Sequence, residues 1–210
     1  MINVLIADDH AVVLEGLKHI LSETSDLKVT GEAGTGHEVL EKLGRIDFDM
    51  VVLDITMPGI SGLDVLKQIR SQKPRLPVLI MSMNPEDQYV ERALRAGASG
   101  CLTKKCKPEE FISAIRNVSL GRKYVSAAIA EKLVNELELK SERPPHNSLS
   151  DREYHVLLLI ASGKRAKEIS EELHLSAKTI STYKSRILLK MNMKSSAELI
   201  NYAIKNRLVE

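Results

Sequence analysis

Residues 1–120 of this 210-residue chain alternate short apolar runs with amphipathic stretches, and this alternation limits the possible folds more than any other feature. The candidate strands are residues 2–7, 28–32, 50–53, 77–81 and 100–102. Between the first two, residues 12–21 place their apolar side chains on one helical face. Strands that alternate with helices favour a parallel sheet covered on both faces. We therefore predict an α/β doubly wound, five-stranded parallel sheet over residues 1–120.

The rest of the chain follows a different pattern. Residues 127–139 read as a helix, and residues 140–147 are charged and polar with a Pro-Pro pair and nothing to bury, which indicates a linker. Beyond it, helix patterns cover 151–161, 166–173, 177–191 and about 197–205, and Ser150 with Glu153 and Ser195 with Glu198 fit the capping box. We predict three parts: a first domain at 1–120, a helix and linker at 121–147, and a small all-α four-helix domain at 148–210.

Charge and cysteine content narrow the class of protein. Residues 145–210 carry 11 Lys or Arg against 7 Asp or Glu, so this basic part makes nucleic acid a candidate partner. No apolar run approaches the ~20 residues that cross a bilayer, and the first residues lack signal-peptide features. We expect a cytoplasmic protein without membrane contact. Cys101 and Cys106 are expected to be reduced thiols, with a redox sensor at Cys101 as the alternative.

Polar side chains follow four of the predicted strands. Asp8 and Asp9 follow the first strand, Asp54 the third, Ser82 the fourth and Lys104 the fifth. Ligands of open parallel sheets bind at the carboxyl ends of the strands, so we expect these five groups to converge.

The residue types at this edge suit phosphoryl chemistry. Three carboxylates repel one another unless a cation is present, and oxygen ligands of this charge suit Mg²⁺. Such an ion can neutralise a transferring phosphoryl group, and Lys104 can pair with its oxygens. Each aspartate taken alone is also explained as a helix cap, but the set of five favours a functional site.

Four motifs in residues 1–120 resemble the receiver domain of bacterial response regulators, a CheY-like fold with strand order 2-1-3-4-5. They are Ala-Asp-Asp-His at 7–10, Leu-Asp-Ile-Thr-Met-Pro-Gly at 53–59, Ser82, and Gly-Ala-Ser-Gly-Cys-Leu-Thr-Lys at 97–104. The resemblance implies that Asp54 accepts phosphate from a histidine kinase and that Ser82 and Lys104 contact the phosphoryl group. It also implies a Mg²⁺ site formed by Asp8, Asp9, Asp54 and the backbone carbonyl of Thr56.

One switch position departs from the receiver pattern. Receivers usually carry Tyr or Phe just before the leucine of the last motif, where the ring turns inward when the phosphoryl group is bound. Here the residue is Cys101, which can pack as a small apolar side chain but has no ring to swing.

The pattern of residues 177–191 indicates a DNA-reading helix. Ile180, Ile187 and Met191 share one apolar stripe, and the opposite face carries short polar side chains and basic ones. Short hydroxyls permit close approach to base edges, and long cations hold phosphates. The preceding helix and the turn at 174–176 complete a helix-turn-helix outline.

Residues 148–208 resemble the LuxR-type helix-turn-helix of NarL/FixJ-family response regulators. The resemblance rests on the motifs at 149–153, 160–163, 167–169, 173–176, 179–180 and 190–191. It implies a recognition helix at 177–190. The implied base-facing residues are Lys178, Ser181, Thr182 and Ser185. The implied phosphate-binding residues are Lys167, Lys184 and Arg186. Thr179 is a further implied DNA-binding residue.

These features together predict a phosphorylation-controlled DNA-binding transcriptional regulator of a two-component system. It would catalyse at most its own phosphoryl transfer and dephosphorylation. Its expected partners are a histidine kinase, dyad DNA bound as a homodimer after phosphorylation, and RNA polymerase.

The sequence disfavours two alternative functions. A Mg²⁺-dependent phosphohydrolase with an aspartyl nucleophile usually has two acids spaced two apart after the first strand, whereas Asp8 and Asp9 are adjacent. A receiver that acts only through protein partners is disfavoured by the helix-turn-helix pattern.

Overall fold

The computed structural model describes residues 1–83, 88–127, 129–131, 144–206 and 208–209. The chain divides into two compact units, Met1–Leu139 and Lys140–Glu210. Within the described residues, no helix is both long enough and apolar enough to span a bilayer.

The first unit is a parallel sheet with helices between its strands. The strands are β1 Ile2–Ala7, β2 Leu27–Ala33, β3 Met50–Asp54, β4 Val78–Ser82, β5 Gly100–Thr103 and β6 Tyr124–Val125. The helices are α1 Ala11–Ser22, α2 Gly36–Arg45, α3 Gly62–Gln72, α4 Gln88–Arg95 and α5 Pro108–Ser119. The strand order is β2-β1-β3-β4-β5-β6, which confirms the predicted doubly wound order and adds a sixth strand.

Alternate residues of the central strands face opposite sides of this sheet. Val4, Val52 and Leu79 pack in one core with α1 and α5, where Leu17 and Phe111 are buried. Their neighbours Leu5, Val51 and Ile80 are also fully buried. Burial on both faces explains why these strands are nearly continuous apolar runs.

The short strand β6 was not predicted. It is held by β5, because the Tyr124 N–H donates to the Ser99 carbonyl at 3.1 Å and the Ser126 N–H donates to the Cys101 carbonyl at 3.3 Å. Two residues are too few to show a strand period. Residues 84–87, Asn-Pro-Glu-Asp, have the sequence of a helix start, but they lie outside the described residues. Most of the predicted helix 127–139 also lies outside them; Ala127 and residues 129–131 are helical.

The second unit is all-α, as predicted. A 3₁₀ turn at Pro145–Ser148 precedes α6 Asp151–Ala161, α7 Ala166–Glu172, α8 Ala177–Lys190 and α9 Ser196–Lys205. The capping box at Ser150 and Glu153 is confirmed, with both reciprocal bonds formed. At α9, Ser195 accepts from the Glu198 N–H, but the Glu198 carboxylate accepts from the Lys194 N–H, so that second box is only half formed.

The interpretation of 140–147 as a segment with nothing to bury is wrong at His146. This side chain is buried, and its Nδ1 lies 2.5 Å from the Tyr202 hydroxyl on α9. Its ring also meets the Tyr154 ring of α6 at a centroid distance of 6.1 Å. The end of the predicted linker is therefore part of the second unit's core.

Candidate functional sites

Asp8, Asp54 and Lys104 meet at the carboxyl ends of β1, β3 and β5. The Lys104 Nζ lies 2.6 Å from Asp8 Oδ2 and 3.1 Å from Asp54 Oδ1. All three side chains are at least 94% buried. Three strand ends thus bring two carboxylates and one ammonium group into contact, as the topology predicted.

The charge balance of this cluster is set by burial. Burial raises the pKa of Asp54 and Asp8 adds to the effect, while Lys104 and the Thr56 backbone N–H oppose it; the result is a pKa of about 6. Burial lowers the pKa of Lys104, but Asp54 and Asp8 outweigh it and hold that pKa above its ordinary value. Lys104 therefore stays protonated, and Asp54 is largely ionised at neutral pH.

One oxygen of this cluster lacks a hydrogen-bond partner. Asp54 Oδ2 is buried and accepts no hydrogen bond from the described residues. A buried charged oxygen without a partner is costly, so a group that binds this oxygen would stabilise the site.

Asp9 and His10 extend the cluster toward solvent. The His10 Nδ1 lies 2.8 Å from Asp9 Oδ1 and 3.2 Å from Asp8 Oδ1, and the His10 N–H donates to Asp8 Oδ1 at 3.0 Å. Asp8, Asp9 and His10 can together offer three ligand atoms within 4.8 Å of one another. The sequence motif contains His10, but no role was predicted for it.

Ser82 and Thr56 belong to the same carboxyl edge of the sheet, at the ends of β4 and β3. Ser82 is buried at the end of β4, and its carbonyl accepts from the Lys104 N–H at 2.7 Å. Thr56 is exposed in the loop after β3. The structure therefore brings all five predicted polar groups to one edge of the sheet, with Thr56 beside them.

Gly62 fixes the backbone of Asp54 and was missed by sequence reasoning. A Cβ at this position would lie 1.9 Å from the Asp54 carbonyl oxygen. The Gly62 N–H also donates to the Ile55 carbonyl at 3.0 Å. The start of α3 can approach the Asp54 backbone this closely only because residue 62 has no side chain.

Cys101, at the switch position where this chain differs from the receiver pattern, is fully buried beside α4. Its Sγ is 4.0 Å from the Val90 carbonyl, and burial raises the pKa of the thiol to about 12. A protonated, inaccessible thiol does not favour the redox-sensor alternative. Cys101 and Cys106 form no disulfide bond with each other.

Helix α8 in the second unit carries the predicted DNA-binding face. Ile180 and Ile187 are buried, and Met191 just beyond the helix is buried as well. The opposite face is exposed at Lys178, Ser181, Thr182, Ser185 and Arg186. Of the other predicted contacts, Lys167 on α7 and Lys184 are exposed, and Thr179 is half-buried.

An ion pair between the exposed Lys190 and the buried carboxylate of Glu153 ties α8 to α6. The Lys190 Nζ lies 2.6 Å from Glu153 Oε2, and Ser150 donates to the same oxygen through its N–H and hydroxyl. Burial raises the pKa of Glu153, but the bonds from Lys190 and Ser150 outweigh it and lower that pKa. Glu153 was predicted as a capping residue, whereas its contact with Lys190 depends on tertiary structure.

Comparisons with known proteins match both units. Residues 4–116 match the family model described as the response regulator receiver domain, and residues 147–203 match that of the bacterial regulatory proteins of the luxR family.

Similar proteins extend over the whole chain. Response regulator UvrY of Escherichia coli (strain K12) is 35% identical over 209 residues, covering 99% of this chain and 96% of UvrY. Oxygen regulatory protein NreC of Staphylococcus epidermidis (strain ATCC 12228) is 38% identical over 215 residues, covering 99% of each. A solved structure of RcsB from Salmonella enterica serovar Typhimurium, bound to a promoter in the presence of phosphomimetic BeF₃⁻, has a TM-score of 0.62 at 28% identity and covers 96% of this chain and 97% of that chain.

Proposed function

The chain belongs to the NarL/FixJ-type response regulators, with a receiver domain and a LuxR-type DNA-binding domain, and from this we propose that a histidine kinase phosphorylates Asp54 to control DNA binding. The observation that carries the proposal is the buried Asp54 carboxylate, paired with Lys104 through one oxygen and unpartnered at the other.

The donor set fits Mg²⁺. Asp8, Asp9 and Asp54 supply only oxygens, Lys104 offsets one of their three charges, and Asp54 Oδ2 lacks a partner. We propose that these three aspartates and the Thr56 carbonyl hold the ion. When bound, Mg²⁺ neutralises charge on the transferring phosphoryl oxygens.

The chain's own residues then account for phosphoryl transfer. A carboxylate oxygen of Asp54 forms the bond to phosphorus as the N–P bond of the kinase phosphohistidine breaks, and the electron pair leaves with the imidazole nitrogen. Although its pKa is raised to about 6, Asp54 is still largely ionised at neutral pH and can therefore act as the nucleophile. Lys104, held protonated beside it, pairs with the phosphoryl oxygens, and Ser82 hydrogen-bonds them.

The second unit supplies the output. We propose that a phosphorylated homodimer binds dyad DNA through the exposed face of α8, with RNA polymerase as a further partner, and that it acts in the cytoplasm, where bacterial DNA lies. The basic and hydroxyl-bearing face of α8 supports this, as does the solved complex of the similar RcsB with a promoter. Family membership favours a regulator over an enzyme, so turnover is limited to its own phosphate.

Labelling with acetyl phosphate and Mg²⁺ tests the acceptor. We expect one phosphate per chain in the native sequence and in Asp47→Asn, whose side chain is fully exposed, and none in Asp54→Asn. Continued labelling of Asp54→Asn contradicts the proposal, and release of many phosphates per chain per minute favours the phosphohydrolase.

A selection of bound DNA fragments, with and without phosphorylation, tests the output. We expect a dyad site whose binding strengthens on phosphorylation and weakens steeply with salt. A labelled chain that selects no site favours a receiver acting only through protein partners.

A further inference from the structure

The recognition helix α8 lacks the side chains that usually read base amino groups. Its sequence, AKTISTYKSRILLK, contains no Asn, Gln, Asp or Glu. Amide side chains commonly read adenine N6, and carboxylates commonly accept from cytosine N4. Hydrogen-bond acceptors on this helix must therefore come from its hydroxyl groups.

Two of these hydroxyls have their proton occupied within the helix. Thr182 Oγ1 lies 3.0 Å from the Lys178 carbonyl oxygen, and Ser185 Oγ lies 3.1 Å from the Ser181 carbonyl oxygen. A carbonyl cannot donate, so the hydroxyl is the donor in both bonds. Each hydroxyl has one proton and two lone pairs, which leaves Thr182 and Ser185 acting outward as acceptors.

Other polar groups of the helix either bond within it or can only donate hydrogen bonds. The Thr179 hydroxyl lies 2.8 Å from the Ser176 hydroxyl, which caps the helix, so Thr179 is engaged locally. Lys178, Lys184 and Arg186 are exposed and can only donate. The exposed face therefore combines cations and the Ser181 hydroxyl with two acceptors, Thr182 and Ser185, three residues apart.

We propose that Thr182 and Ser185 select bases by their exocyclic amino groups, an inference that rests on the proposed DNA-binding function. Adenine N6 and cytosine N4 donate in the major groove, at the edge where guanine O6 and thymine O4 accept. An acceptor facing a keto oxygen finds no proton unless the helix bond is broken. The strand that α8 contacts therefore carries A or C, and not G or T, at two positions of each half-site.

Isosteric variants test the two positions separately. Fragment selection is run with the phosphorylated full-length chain, with Thr182→Val and with Ser185→Ala. We expect each variant to lose its preference for A or C at one position, by about tenfold, the worth of one hydrogen bond at a desolvated base. The other positions of the site keep their preference. Ser162→Ala is the matched control, because the Ser162 hydroxyl makes the same bond to the Leu158 carbonyl on α6.

A base analogue tests the same contact without a change in the protein. Replacing the selected adenine by purine, or the selected cytosine by 2-pyrimidinone, removes the amino group. We expect about tenfold weaker binding by the native chain and no further loss in the variant that lacks the matching hydroxyl.

The outcomes separate this inference from the proposed function. A selected site with G or T at both positions, or variants with unchanged preferences, overturns the reading of amino groups while DNA binding stands. A native chain that selects no site overturns both.

Discussion

Replacing Asp54 with Asn is expected to stabilise the first unit in the absence of divalent cations. The carboxylate is 97% buried, and burial raises its pKa from 3.8 to about 6. At 1.36 kcal/mol per unit of pKa, ionisation of Asp54 costs the folded state about 3 kcal/mol. Asn has nearly the same shape and no charge, so Asp54→Asn should recover most of that free energy at pH 7.5.

The pH dependence of this stability difference tests its sign independently. The folded state binds the Asp54 proton more tightly than the unfolded state does, because the folded pKa is the higher one. The ionisation penalty is absent below the unfolded pKa of about 4, grows between pH 4 and pH 6, and is complete above pH 6. The difference between variant and native chain should follow the same curve.

Hydrogen exchange of the β1, β3 and β4 amides measures the free energy of opening of the first unit by itself. Saturating Mg²⁺ should stabilise the native chain and erase much of the difference, since the cation offsets the buried charge. Asp47→Asn, at a fully exposed side chain, should leave these amides unchanged at every pH. A variant less stable than the native chain above pH 6, or a difference independent of pH, refutes the reasoning.

Three further perturbations follow from the contacts. Lys104→Met leaves two carboxylates buried without their cation, so the free energy of unfolding in urea should fall by about 3–5 kcal/mol. A decrease below about 1 kcal/mol contradicts the burial of the cluster. Gly62→Ala places a methyl group against the Asp54 carbonyl, so thermal unfolding should show about 1–3 kcal/mol of lost stability, and acetyl phosphate should label the variant more slowly. Native-like values of both would mean that residue 62 does not approach the Asp54 carbonyl this closely. Arg186→Ala should lower the slope of log affinity against log salt by about 1 without altering the selected sequence, and an altered sequence assigns Arg186 to a base instead of a phosphate.

The strands were predictable because their own residues determine them. The runs at 2–7 and 50–53 are apolar on both faces, and the structure reproduces the first bounds and extends the second by one residue to Asp54. The pair Tyr124–Val125 becomes a strand only because β5 offers it backbone partners. A two-residue segment has no period to read.

The same distinction holds for the sites. Asp8, Asp54 and Lys104 converge because parallel strands end at one edge, a rule of topology that sequence order already contains. The contact of Gly62 with the Asp54 carbonyl and the burial of His146 depend on which segments pack together in space. In the sequence, His146 follows two prolines and looks like part of a linker, because its packing partner Tyr202 cannot be identified without the structure.

Cys101 limits how the receiver can respond to a phosphoryl group. The ends of β4 and β5 are joined by the bond from the Lys104 N–H to the Ser82 carbonyl. Under the proposed function, a shift of Ser82 toward the phosphoryl group would therefore move the end of β5 as well. Cys101 lies three residues before Lys104, fully buried against the Val90 carbonyl of α4. Rotation of a thiol moves a single heavy atom and frees no surface, whereas rotation of a ring would. Under the proposed function, we therefore expect a response of this chain to come from movement of the strand end and α4 as backbone units, because the Cys101 side chain has too little volume to carry it.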